Sequence, residues 1–379
     1  MTSDNLASII AKAPNKETEG AATLVFVISA FEDFPQLQAL IHAIHLPHHW
    51  LIVHLERQTG PSYVAQVQSL TKIYSNLVVL QFGTVIYPGD SLSQINFAIM
   101  QLLEEAAHVH DDFHYDYLLA LSAASYPLYS AEGLARYLYK APKRVRLGLL
   151  QGGDPRLCRR RAASVGLYYT RGGQQKRRVA DIYDIHNVLS EIMEDHHSNN
   201  QTTMPLTAAL FAPKGLKQTC RRKTTSGNTA AYDRNAIQKI TRSATVKDYM
   251  ARFKLAGQCC VEESSWGAAL HVIGRSQGEV PLPGIMWQAW PCGMGMGNSY
   301  LVDPAASSSA PTHCLRMDDK SVFPEGPVEL RTPNEIEKAL IHGKQQGHLF
   351  ARKFHSTDQY WMKWIQTNLH NQHEPATPT

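Results

Sequence analysis

Thr23-Leu-Val-Phe-Val-Ile-Ser29 is the stretch whose reading decides the fold. It is a short apolar run rich in β-branched residues, too brief for a buried helix, and it reads as a strand covered on both faces. A helical pattern follows directly, from Pro35 to Ile44, with apolar positions at Leu37, Leu40, Ile41 and Ile44. Trp50-Leu-Ile-Val-His-Leu55 reads as a second strand and Leu77-Val-Val-Leu80 as a third. Ser91 to Ala107 predicts a long amphipathic helix. Tyr117-Leu-Leu-Ala-Leu121 predicts a fourth strand that runs into Ser122-Ala-Ala-Ser125. Strands with continuous apolar character, alternating with helices, predict an α/β fold with a mostly parallel central sheet and helices on both faces. Ligands of such sheets sit outside the carboxyl ends of the strands.

Beyond this alternation the chain changes character. Arg156 to Arg178 is strongly basic and includes Arg159-Arg160-Arg161 and Lys176-Arg177-Arg178, with Tyr168 and Tyr169 among the few aromatics. A solvated or phosphate-facing surface is the reading taken here, with nucleic-acid binding as a rival. Glu194 to Thr203 is polar and reads as a loop, and Gly293 to Pro311 is rich in Gly, Ser, Ala and Pro and predicts a long one. A helix is expected after Thr332-Pro333, capped by Thr332 or Asn334, with Glu335 and Glu337 suiting its first turn. The expected division is a flexible segment over 1–22, a single domain over 23–370 with halves 23–150 and 151–370, and a flexible tail over 371–379.

The 379 residues, 44% of them hydrophobic, are enough for one large α/β core. A net charge of +4 suits an anionic small ligand and falls short of a nucleic-acid binder's balance. Cys158, Cys220, Cys259, Cys260, Cys292 and Cys314 contain no CxxC pair, which argues against a zinc ribbon or a thioredoxin-type site. Met1 to Ala22 lacks the run of about 18 apolar residues that a membrane span requires, and it lacks the layout of a signal peptide. The expectation is a soluble chain, cytoplasmic or peripherally associated with a membrane. There is no P-loop, no GxGxxG after the first strand, no HExxH and no GxSxG. Nor does Asp-x-Asp occur anywhere. Without that pair to hold a divalent cation on a diphosphate, lysine and arginine would have to neutralise one.

Four segments, in order, resemble one family. They are Val25 to Glu56, Tyr117-Leu-Leu-Ala-Leu-Ser-Ala-Ala-Ser-Tyr-Pro-Leu128, Cys260-Val-Glu-Glu-Ser-Ser-Trp266-Gly-Ala-Ala-Leu270, and His348-Leu-Phe-Ala-Arg-Lys-Phe354. Together they resemble the core-2/I-branching β-1,6-N-acetylglucosaminyltransferases and the related peptide O-xylosyltransferases. The resemblance spans about residues 23 to 360 and is weak from 150 to 225. It implies a GT-A-like fold, inversion at the anomeric carbon, a UDP-sugar co-substrate, a glycan or glycoprotein acceptor, and neither cofactor nor metal. N-acetylglucosamine is the first choice of sugar. Xylose is the alternative, toward which the Phe-Ala-Arg-Lys-Phe wording leans, and a catalytically degenerate glycan-binding protein of the same fold is a further one. Animal members are Golgi membrane proteins, so the Golgi lumen is the alternative location.

The same resemblance makes 23–370 a catalytic domain, with 23–150 its nucleotide-binding half and 151–370 its acceptor-binding and catalytic half, and it implies roles for individual residues. Glu263 falls on the family's general base in a Pro-Asp-Glu-x-x-Trp motif that here reads Val261-Glu262-Glu263-Ser-Ser-Trp266. A base of this kind needs one carboxylate within hydrogen-bond reach of the acceptor hydroxyl. Glu262 supports it on the acceptor side. Lys353 and Arg352 fall on the donor diphosphate, and a second cation is expected from Arg331 or Arg316. Ser29, Phe31, Glu56 and Tyr87 fall where the family contacts uridine; Phe31 stands in place of a common histidine and Glu56 in place of an aspartate. Trp287 and Trp290 match an acceptor-side segment, where an indole face suits the CH patches of a pyranose. His54, a lone strand histidine, is expected to be structural.

Overall fold

The computed structural model describes residues 19–85, 91–111, 113–141, 146–147, 164–171, 174–181, 230–247, 250, 286–287, 337, 340–341, 343–345, 347–352, 354 and 359–370. In chain order its elements are β1 (Leu24–Ala30), α1 (Phe34–Ile44), β2 (Trp50–Leu55), α2 (Pro61–Ser69), β3 (Leu77–Gln81), α3 (Ser91–Val109), β4 (Tyr117–Ser122), β5 (Tyr126–Pro127), α4 (Ala131–Lys140) and β6 (Arg146–Leu147). They continue with β7 (Ser164–Arg171), β8 (Gln174–Asp181), β9 (Ala230–Asp233), α5 (Arg234–Arg242), β10 (Met286–Trp287), β11 (Phe350–Ala351) and α6 (Gln359–Asn368).

The main sheet has six strands in the order β3-β2-β1-β4-β9-β6. β1 lies parallel to both β2 and β4, and β2 lies parallel to β3. β9 runs antiparallel between β4 and β6. The order reverses direction at β1, whose two neighbours are β2 and β4, and this makes a topological switch point at their carboxyl ends.

Alternation along the strands divides the core. Phe26 and Ile28 of β1 join Leu51 and Val53 of β2 under α1, α4 and α6, through Leu37, Ile41, Leu134 and Ile365. Val25 and Val27 face the other way with Ile52 and Val78, beneath Met100 and Leu103 of α3 and Ile237 of α5. Helices therefore cover both faces, as the continuous apolar strands require.

Local chemistry explains how the elements begin. α1 starts at Asp33, a left-handed residue (φ 56°), whose carboxylate accepts from the Gln36 N–H at 3.3 Å; Asp tolerates this conformation better than most residues. Ser130 and Asp233 cap α4 and α5 in the ordinary extended geometry. At the amino edge of the sheet, the Tyr115 hydroxyl donates to Glu104 at 2.6 Å, and the Arg234 guanidinium lies 5.3 Å from the Tyr115 ring. That cluster fastens α3 and α5 to the segment entering β4.

Candidate functional site

The carboxyl ends of β1 and β4 meet through a backbone bond, Ala123 N–H to the Ser29 carbonyl, at 3.0 Å. Ser29 pairs with His54 on one side and Ser122 on the other, so it sits at the switch point itself. Beyond it, Phe31 is 68% exposed, a large apolar ring left in solvent at the mouth of the crevice. The loop carrying Phe31 is held by Tyr63, whose hydroxyl donates to the Glu32 carbonyl at 2.9 Å. Burial and the carboxylates of Asp33 and Glu32 push that phenol up to about 12, so it stays a donor throughout the physiological range. Glu56 follows the last residue of β2 and is half-buried.

The turn after β4 is where distant chain arrives. Ser125 N–H closes the turn onto the Ser122 carbonyl at 3.0 Å, and β5 then pairs antiparallel with β11, Ala351 opposite Tyr126 and Phe350 opposite Pro127. Phe354 N–H donates to the Ala124 carbonyl at 2.8 Å. Arg352, partly buried, is thus carried beside the Ser122–Ser125 turn at the carboxyl end of β4. On its other edge β11 pairs with β10, so that the Trp287 backbone faces Ala351. Ser29 is thus linked to the Ser122–Ser125 turn, that turn to the chain around Arg352, and the Trp287 backbone lies on the far side of β11. Glu56 and Phe31 stand at the neighbouring strand ends.

Two residues of this crevice were not anticipated. The Gln36 amide, in the first turn of α1, donates to the Ser125 carbonyl at 3.4 Å and locks α1 to the turn after β4. Gln36 is 1% exposed, and its Oε1, like the Ser125 Oγ, is buried with no hydrogen-bond partner among the described residues. Groups of this kind are rare in folded chains. The signal for Gln36 was present, because it lies four residues before Leu40 and so shares the buried stripe of α1.

His54 is structural, as expected. Its Nε2 donates to the Phe82 carbonyl at 2.8 Å, tying β2 to the chain leaving β3, and burial lowers its pKa. Among the described residues no group of three or more His, Cys, Asp or Glu side chains could hold a metal ion. Glu262, Glu263, Trp290, Arg316, Arg331, Lys353 and Tyr87 lie outside the described residues, although Lys353 is flanked in the chain by Arg352 and Phe354. No described helix is long and apolar enough to cross a membrane.

No protein-family model matches the chain. Among curated proteins, a stretch of 141 residues is 22% identical to the human "Probable beta-1,3-galactosyl-O-glycosyl-glycoprotein beta-1,6-N-acetylglucosaminyltransferase 7". The match covers 36% of this chain and 32% of that relative, so the chain spans about a third of the protein it resembles.

Proposed function

We propose that this chain is a glycosyltransferase that moves a sugar, N-acetylglucosamine first among candidates, from a UDP-sugar to a hydroxyl of a glycan or glycoprotein. The observation that supports the reading is the run of backbone links from Ser29, at the switch point of a mostly parallel sheet, through the Ser122–Ser125 turn to the chain around Arg352. A nucleotide belongs at such a crevice, and the distant relative is named as an acetylglucosaminyltransferase.

In this reading the uridine lies across the ends of β1 and β2, against Ser29, Glu56, Tyr87 and the exposed ring of Phe31. Arg352 and Lys353, with Arg331 or Arg316, hold the diphosphate. A guanidinium grips phosphate oxygens bidentately, and a lysine supplies a compact charge. Glu263 accepts the proton of the acceptor hydroxyl as its oxygen bonds to the anomeric carbon. The bond from that carbon to the diphosphate breaks on the opposite face, and UDP leaves with the electron pair, its charge offset by the same cations. Inversion follows from the single displacement. With no Asp-x-Asp in the chain, the cations are assigned the role a divalent metal would otherwise fill. Trp287, Trp290 and Glu262 are assigned to the acceptor.

UDP release measured over a panel of UDP-sugars, with and without EDTA, tests this reading. Release from one donor, undiminished by EDTA, is the expected result. No release from any donor, with no binding of UDP, would overturn the enzyme assignment.

A further inference from the structure

The proposed donor site assigns no role to the most concentrated charge in the sequence. Residues 156–178 hold eight lysines and arginines and no acid, while the whole chain nets only +4. The rest of the chain is therefore net negative, and the basic stretch is a local feature. Its later part forms β7 and β8, an antiparallel ribbon separate from the six-stranded sheet.

The register of that ribbon sorts its residues by face. Val165 pairs with Ala180, Leu167 with Arg178, Tyr169 with Lys176 and Arg171 with Gln174, and alternate pairs share a face. Arg171, Lys176, Arg178 and Tyr169 thus hold register positions on one face, with no acid among that face's positions, whereas Asp181 belongs to the other face, opposite Ser164. Neighbours along one face or on its diagonal are about 7 Å apart. Like charges at this spacing repel, and a bound anion would relieve that repulsion.

We propose that this face of the β7–β8 ribbon docks a carboxylate-bearing oligosaccharide, so that the acceptor is an acidic glycan. Arginine forks match carboxylates bidentately, and a tyrosine ring offers its face to a pyranose. Three cations fall short of the six to ten phosphate contacts of a typical duplex binder and of the four to eight of a polybasic membrane segment. The choice of a glycan rests on the glycosyltransferase reading above.

The test uses the full chain and a hexasaccharide of alternating uronic acid and N-acetylhexosamine, with its carboxyl-reduced neutral counterpart. Binding is followed by calorimetry, separately from turnover. The acidic hexasaccharide should bind at least tenfold tighter than the neutral one. The double substitution Lys176→Gln, Arg178→Gln should weaken it by roughly two- to thirtyfold, the range for two lost exposed ion pairs, with an unchanged melting temperature. Lys363→Gln, which removes an exposed charge on α6, should change nothing. Should the double variant fail to fold, Arg171→Gln is read by the same criteria. Equal binding of the neutral hexasaccharide overturns the proposal, as does an unaffected double variant. So does tighter binding of a single-stranded oligonucleotide or of phosphatidylserine vesicles. A chain that binds the acidic hexasaccharide but releases no UDP from any donor keeps the docking face and loses the enzyme reading; one that turns over donors but ignores the carboxylates does the reverse.

Discussion

The two sheets that meet at the crevice are built in opposite ways. β1 to β4 run for five to seven residues each and pair within one stretch of about a hundred residues, every strand buried between two layers. β5, β10 and β11 have two residues each and come from three distant parts of the chain. The first sheet holds its shape by long ladders and burial. The second has only two-residue ladders; Tyr126, Phe350 and Ala351 are buried in the same core, and single bonds from α6 and the residues after it add to that. Gln366 donates to the Tyr126 hydroxyl at 2.8 Å, His370 Nε2 donates to the Pro127 carbonyl at 3.1 Å, and the buried Lys344 ammonium donates to the Leu369 carbonyl. A broad sheet with a flank of two-residue strands suits the proposed reaction, in which one substrate is held and the other admitted.

The sharpest way to separate holding from chemistry is Glu263→Gln. A general base contributes typically 10²- to 10⁴-fold to rate. Transfer should fall by about that factor while UDP binds as before. Undiminished turnover would remove Glu263 from the mechanism. The parallel sheet is tested by Phe26→Ala. Phe26 is fully buried and its ring lies 5.4 Å from His49 and 6.5 Å from Phe350, so it touches both sheets. Truncating a buried phenylalanine costs about 3–5 kcal/mol, read as a shift of the urea midpoint. A loss under 1 kcal/mol would mean that burial at β1 is not what holds the fold.

Acid should act on the same sheet and at its far edge. His49 is fully buried; its Nδ1 donates to the Ile44 carbonyl, and burial with the nearby His48 lowers its pKa to about 3. The unfolded chain takes up the proton near pH 6.5, so this contribution to stability is complete above that pH and is lost as pH falls toward 3. At pH 5 the loss from this residue alone is about 2 kcal/mol. Urea midpoints between pH 8 and 5 should fall accordingly, and His49→Leu should flatten the slope. A midpoint that holds steady down to pH 5 would contradict it.

Arg352→Gln probes the junction between the two sheets. With Arg352 assigned to the diphosphate, UDP affinity should drop about tenfold, the equivalent of one charge-assisted hydrogen bond, with little change in the urea midpoint. Unchanged UDP affinity would leave the arginine a packing residue.

How much of this could be read in advance follows the same division. The four parallel strands and the helices at Phe34–Ile44 and Ser91–Val109 stand where apolar runs and periodicity put them, because each carries five or more residues of consistent pattern. β9, Ala230-Ala-Tyr-Asp233, gave no strand signal; small residues are paired there because Ala230 and Ala231 fit between β4 and β6. The pairing of β5 with β11 was equally invisible, since two residues carry no period. Yet both segments had been singled out by their wording, and their pairing is information that only three dimensions hold. Ser29 bonds to the turn after β4, and the chain just past Arg352 bonds to the same turn. Glu56 and Phe31 stand at the neighbouring strand ends, and the assigned base lies outside the described residues.

The smallest effect concerns the brace itself. Tyr126 is buried, its phenol pushed up to about 12, chiefly by burial and despite the opposing bond from Gln366. Tyr126→Phe removes one neutral hydrogen bond and leaves Gln366, which is exposed, free to bond water. The stability cost should be about 1 kcal/mol. Because Tyr126 pairs directly with Ala351, a shift in β5 is transmitted to Arg352 one residue on. If the flank is braced by single bonds, donor KM should rise in this variant more than the midpoint falls. If KM and midpoint both stay at the parent value, the Tyr126–Gln366 bond is no part of the brace.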